Sequence, residues 1–338
     1  MKTKPNTNTH LTQTQPATKA KRIKLGIDVH ADSYRVVRQL DHATPQPAQK
    51  FTPQGFLLWA RKQLEVAEEV YTCYEAGPFG YGLHRALAAM GIHNIVVRPQ
   101  NWDELGKGVK TDKTDALALV QRLDRYVQGN VKALAVIRVP TVAEEQARAA
   151  SRQREQLRQH RQRLEAQGRS LLLYHSQRVR GRWWSARNWP AVSRLLAPAL
   201  QDLLQTLRDL ILAVDEKLQQ VTGRLEAQAA PAPRGFGALT TQIIQNEVGD
   251  WHRFDNRRQV ASLTGLCPGV RASGLKQQMG AITKHGNPRL RRWRAVLLTG
   301  HAGVRKKAVV AIARKLAIDQ WRLATDRCTV QTLQLKMN

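Results

Sequence analysis

IKLGIDV (Ile23–Val29) is the stretch whose reading decides the fold. It is short and apolar, and Ser33–Leu40 follows it as a second alternating run, so the pair reads as a β-hairpin. Further along, Gln54–Glu69 has helical spacing, Val70–Glu75 is another β-type run, and Phe79–Met90 is helical. Ile92–Val97 is a third β-type run with Pro99 behind it, and Asp112–Leu123 is helical again. Strands and helices in this order argue for an α/β layer on a mixed sheet over residues 23–140. The preceding residues 1–22 are polar and basic, lack the apolar core of a secretion signal, and read as a disordered lead.

Residues 141–230 change character. Between Arg148 and Arg182 there are ten arginines and only two acids, Glu155 and Glu165, with Leu157, Leu164 and Leu171 seven residues apart. One apolar stripe on an Arg/Gln helix suggests an anion on one side and a partner helix on the other; a merely solvated helix is the plainer reading. A second helix repeats Leu200, Leu204, Leu207, Ile211, Val214, Leu218, Val221 and Leu225 with 4-3 spacing, a coiled-coil seam. Its mate is either the Arg-rich helix or another subunit. Between them, RVRGRWWSARNWP (Arg178–Pro190) mixes tryptophans with arginines. Arg182, Trp183 and Trp184 could stack on exposed bases, or the tryptophans could cap the helix pair. The Pro/Gly stretch AAPAPRGFG then separates a small, mostly α unit over residues 231–338.

Composition narrows the partner. The 338-residue chain carries 54 Lys plus Arg against 26 Asp plus Glu, a net charge of +28, which fits a polyanion such as nucleic acid. Three cysteines, far apart, give neither a disulfide framework nor a zinc pattern, and suggest a reducing, cytoplasmic setting. No apolar run reaches membrane-spanning length.

Four acids stand out in the first domain. Asp28 ends the first strand, Glu75 ends a later one, and Asp112 and Asp115 open a helix in KTDKTDA on one helical face. Strand ends beside helix N-termini are where α/β sheets gather their sites. Converging carboxylates would call for divalent cations between them. Mg²⁺ suits such ligands, and two ions could clamp the attacking and leaving oxygens of a phosphoryl transfer. Taken singly, Asp112 and Asp115 are equally plain helix-start charges and Asp28 a turn residue; Asp32, Asp103, Glu104 and Asp124 are further acids nearby.

In the last unit, Leu263–Arg294 sets Gly265, Gly269, Gly274, Gly280 and Gly286 among Arg271, Lys276, Lys284, Arg289, Arg291 and Arg292. Glycine turns and cations together suit a phosphate backbone. Ser273, beside Gly274, reads either as an accessible nucleophile or as an ordinary turn former. His285 fits a phosphate contact or a turn better than a base.

GIDVH, YEAGPFGYGLHRAL and RPQNWDELGKGVKTDKTDALALVQRL resemble the RuvC-like (ribonuclease-H-like) domain of insertion-sequence-110-type transposases. GDWHRFDNRRQVASLTGLCPG and ASGLKQQMGAITKHGNPRLRR resemble their C-terminal transposase domain, and WW…NWP is similar to the sub-group named after insertion sequence 1111. The resemblance runs from about Lys24 to Ala317. It implies a catalytic Asp28/Glu75/Asp112/Asp115 set binding Mg²⁺, and Ser273 as a nucleophile forming a transient phosphoserine link to donor and target DNA. It further implies a homodimer or homotetramer in which acids and serine come from different subunits, guided by a structured bridge RNA and associated with the nucleoid. Two departures stand out: GFGA (Gly235–Ala238) lacks the usual proline, and LLTGHAGVRKKA is shorter than usual. The rival expectations are a RuvC-like junction or RNA–DNA nuclease without a covalent intermediate, and a non-catalytic nucleic-acid-binding protein.

Overall fold

The structure, a computed structural model, describes residues 19–100, 112–231, 237–273, 276–290 and 304–333. The chain divides into a unit ending at Val139 and a second beginning at Pro140. Among the described residues, no helix is long and apolar enough to cross a membrane.

The first unit is a five-stranded mixed sheet. Strand β1 (Ala20–Val29) pairs antiparallel with β2 (Tyr34–Leu40), and β2 with the short β3 (Gln49–Phe51). On its other edge β1 pairs parallel with β4 (Ala67–Glu75), and β4 with β5 (His93–Val97), giving the order β3-β2-β1-β4-β5. Helices α1 (Pro53–Val66), α2 (Gly82–Ala89) and α3 (Asp112–Val127) complete the layers. Thr52 starts α1 by accepting the Gly55 N–H, a cap of the kind that contributes about 1 kcal/mol. The hairpin and the strand–helix alternation agree with the sequence reading; β3, at three residues, carries no periodicity to find.

Because strand side chains alternate, β1 serves two layers. Ile23, Leu25 and Ile27 are wholly buried against Phe56 and Ala60 of α1 and Leu87 of α2, each burial contributing roughly 1.5–3 kcal/mol. Lys24, Gly26 and Asp28 point the other way, to the face that α3 covers. Lys24 is buried and its ammonium pairs with the Asp124 carboxylate of α3 and the Asp41 carbonyl.

In the second unit, α4 (Val142–Tyr174) opens with a full capping box between Thr141 and Glu144. The short α5 (Trp189–Ser193) leads to α6 (Pro198–Ala227). Leu200, Leu204, Leu207, Ile211, Leu218, Val221 and Leu225 are the buried seam of α6. This seam packs on α4 of the same chain, antiparallel: Arg154 donates to Thr222 Oγ1 at 2.8 Å, and Arg161 pairs with Asp215 one heptad along. Leu157, Leu164 and Leu171, the stripe expected on α4, are all part-buried, and Leu164 and Leu171 pack against the core shared with α6. The buried positions are Ser151, Glu155, Gly168 and Leu172. Glycine at 168 leaves room on this helix for an indole.

That indole is Trp183, fully buried, whose Nε1 donates to the Glu165 carbonyl at 3.0 Å. A Cβ on Gly168 would stand 2.1 Å from its Cζ2. Trp184 is buried beside Val192 and Leu204. The base-stacking expectation for Trp183 and Trp184 is therefore corrected: both rings are spent on the helix-pair core.

Helices α7 (Ala238–Val248), α8 (Arg257–Thr264) and α9 (Val304–Ala324) form a separate core, where Ile244, Val248, Val260, Leu266, Leu290, Ala317 and Trp321 meet. The glycine-rich stretch is not all loop. It forms an antiparallel hairpin of β6 (Pro268–Ser273) and β7 (Lys276–Ile282).

Candidate functional sites in the two units

At the first site, β1 and β4 run parallel with Ile27 beside Tyr74, so the next residues in register are Asp28 and Glu75. Adjacent strands lie about 4.8 Å apart, and residues in register share a face. Two carboxylates are thus neighbours at the carboxyl edge of the sheet. Asp28 Oδ2 lies 3.0 Å from His30 Nε2, and Glu75 Oε1 accepts the Gln100 N–H at 3.2 Å.

Helix α3 brings the third acid. Its Asp124 meets Lys24, its Ala116 and Val120 meet Gly26, and it therefore runs antiparallel to β1 with its first turn at the Asp28 end. A Cβ on Gly26 would sit 2.3 Å from the Ala116 carbonyl oxygen and 2.5 Å from the Val120 nitrogen. The missing side chain is what lets the helix lie this low. Cys73, on the same face of β4, donates through Sγ to the Leu119 carbonyl at 3.4 Å. Burial, then the Glu75 charge, push its thiol pKa well above the ordinary range. Asp115 precedes Ala116 directly, so it belongs to this edge. The side chain of Asp112 lies outside the described residues, as do Asp103 and Glu104.

Carboxylate oxygens suit a hard cation such as Mg²⁺, and Asp28 and Glu75 are the carboxylates in register on neighbouring strands. Among the described residues, however, no three His, Cys, Asp or Glu side chains close into a group able to hold a metal. Asp124, one of the alternative acids, is engaged by Lys24 lower on the helix. Sequence reading passed over Gly26, His30 and Lys24; a glycine inside a strand signals close backbone approach and could have found the first.

At the second site, Ser273 is exposed at the end of β6, with Lys276 opposite in register and Arg271 paired to Gln278. Positions 271, 273, 276 and 278 share one face of the hairpin. Gly274 and the side chain of Lys276 lie outside the described residues, as do Arg291 and Arg292. After β7, Lys284 is exposed with φ +58°, and Gly286 docks on α8, where a Cβ would stand 2.2 Å from the Gly265 nitrogen. Asn287 then donates from Nδ2 to Glu247 Oε2 at 2.7 Å, and Arg289 Nε lies 3.7 Å from Glu247 Oε1. Glu247 is buried, and Arg152 of α4 reaches the same Oε1 at 3.4 Å. Arg289, expected on the nucleic acid, thus has its nearest acidic partner inside the protein.

The stretch carrying this hairpin falls within residues 232–309, which match the transposase IS116/IS110/IS902 family. The chain is 34% identical over 232 residues to y4qE of Sinorhizobium fredii, whose name calls it a transposase; the match covers 66% of this chain and 56% of that protein. With y4rJ of the same organism, also named a transposase, identity is 29% over 314 residues, 78% of each chain. Residues 232–309 of the second unit are therefore similar to the transposase domain of the IS116/IS110/IS902 family. The chain is also 28% identical over 225 residues to the transposase for insertion sequence element IS1111A of Coxiella burnetii, covering 62% of this chain and 59% of that one. The chain thus spans little more than half the length of two of these three relatives. The family match takes in Ser273 but not the acids of the first unit.

Proposed function

We propose that this chain is an insertion-sequence transposase of the IS116/IS110/IS902 family that cleaves and rejoins DNA strands. Asp28, Glu75, Asp112 and Asp115 of a RuvC-like first unit would hold Mg²⁺, and Ser273 of the second would be the nucleophile. The observation that supports the reading is the close seat of α3 on β1 at Gly26, which brings the start of the helix that carries Asp115 to the sheet end where Asp28 and its register neighbour Glu75 lie. The strand order β3-β2-β1-β4-β5, with its three parallel strands, supports the RuvC-like assignment.

Bound Mg²⁺ would supply Lewis-acid stabilisation of phosphoryl oxygens. Ser273 Oγ, exposed at the hairpin end, attacks phosphorus; an Oγ–P bond forms as one P–O ester bond breaks. The serine proton leaves and the departing strand's hydroxyl takes one up, so attack by another strand's hydroxyl reverses the step without external energy. Arg271, on the Ser273 face, offers a guanidinium to the charge that develops on phosphorus. A homodimer or homotetramer would let acids and serine of different subunits work together, and a bridge RNA would delegate sequence choice to base pairing.

The test is strand exchange in cells carrying the element's own flanking DNA. Ser273→Ala should abolish both recombination and the detergent-stable protein–DNA adduct. Asp115→Asn and Glu75→Gln should abolish strand breakage while leaving the protein folded. Cleavage that persists in Ser273→Ala would favour the nuclease reading, and recombination that survives all three changes would remove catalysis from this chain.

A further inference from the structure

The buried tryptophans leave the Arg/Trp connector with a different task. Its chain alternates: Arg178, Arg180 and Arg182 are exposed, while Val179 is part-buried and Trp183 and Trp184 are buried. The connector is tied from within by its carbonyls. Arg169 Nη1 donates to the Val179 oxygen at 3.1 Å and Nη2 to that of Gly181 at 2.7 Å; Asn188 Nδ2 reaches the Arg182 oxygen at 2.9 Å, and Arg208 Nε the Trp184 oxygen at 3.0 Å. The arginines are therefore carried on a fixed strap and not on a loose loop.

No Asp or Glu occurs from residue 166 to 201, whereas Arg169, Arg178, Arg180, Arg182, Arg187 and Arg194 all do. A groove of about 460 Å³ runs along the strap, lined by Leu172, Leu173, Gln177, Arg178 and Arg180 among others. The chain bends at Gly181, φ +75°, between Arg180 and Arg182, and Arg182 lies over the edge of the core with its guanidinium 5.7 Å from the Trp184 ring centroid. Trp183 and Trp184, being buried, offer no surface on which single-stranded bases could stack. What the strap presents is three exposed, fork-shaped cations close together in the chain, the kind of group that contacts phosphates.

We infer that Arg178, Arg180 and Arg182 form a backbone-gripping strap for duplex DNA, built from residues of neither candidate catalytic cluster. Choosing DNA over RNA rests on the proposed function; the binding itself needs neither metal nor cleavage, so the two readings fail separately.

The experiment is fluorescence anisotropy of the full-length chain, without divalent metal, on a 30-base-pair duplex across a salt series. In Arg178→Gln/Arg180→Gln/Arg182→Gln the log–log salt slope should flatten by roughly 3 and binding should weaken about tenfold or more, at nearly one released counterion per lost contact. An equal charge removal at exposed Arg61, Lys62 and Lys217 should change the slope by less than one. Circular dichroism must show the same melting temperature for both variants. A slope unchanged from the parent, a change no larger than in the control variant, or a loss confined to duplex RNA overturns the strap.

Discussion

Gly26 and Ala116 meet where a side chain would not fit: the absent Cβ of the glycine would lie 2.3 Å from the alanine's carbonyl oxygen. The obstacle is helix backbone, which cannot rotate away. Gly26→Ala should lift the first turns of α3 from β1 and destabilise the first unit by about 1–3 kcal/mol, the usual range for overpacking. Thermal unfolding would read the loss. Strand breakage should fall further than the folded fraction does, because Asp115 moves with the helix.

Gly168→Ala offers a test with an inverted sign. In an exposed helix interior, alanine would gain about 1 kcal/mol over glycine. Here the new Cβ meets the Trp183 ring at 2.1 Å, inside a closed core. The substitution should lower the melting temperature. In a Trp183→Leu background the same change should be neutral or stabilising, and that coupling isolates the contact.

Glu247 ties α7 to α4 and to the segment after β7 through Arg152, Asn287 and Arg289. Glu247→Ala should cost about 2–3 kcal/mol, less than for a wholly buried pair because both arginines remain part-exposed. Glu247→Gln should cost less, since an amide oxygen still accepts from Asn287. Chemical denaturation of the three proteins would rank them, and the opposite ranking would show that the carboxylate is not the tie.

Cys73 should be inert to a disulfide reagent in the native protein, while Cys267 and Cys328, both part-exposed, react. Its thiol pKa is raised by burial and then by the Glu75 charge. The unfolded thiol ionises at its ordinary value, so folding holds back a proton that the unfolded chain would release. This contribution is complete at neutral pH and is lost as pH climbs past the usual thiol range. Urea midpoints at pH 7 and pH 10, compared with those of Cys73→Ala, would measure it.

The strands of the first unit were readable because each is bounded by turn residues and backed by an apolar face. What lay beyond reach was the second face of β1: Lys24 looks like an interruption until Asp124, one hundred residues on, is placed against it. The connector shows a limit of a different kind. Arg and Trp interleave in the same way whether indoles stack on a base or fill a core, and only Gly168, on another helix, decides which. The seam of α6 was legible except at Val214, which is only part-buried; its mate was not, since 4-3 spacing encodes a stripe and not the identity of its partner. Acid spacing likewise placed Asp28 and Glu75 at strand ends but carried no information on whether the described carboxylates close around an ion.

Arg154–Thr222 and Arg161–Asp215 are rungs between two helices running in opposite directions, each mirrored about the same midpoint. A length change inserted within one arm would throw every rung beyond it out of step. Natural lengthening or shortening of this arm should therefore arise as matched increments in both helices, in whole heptads, or else at the strap end, where the chain turns back.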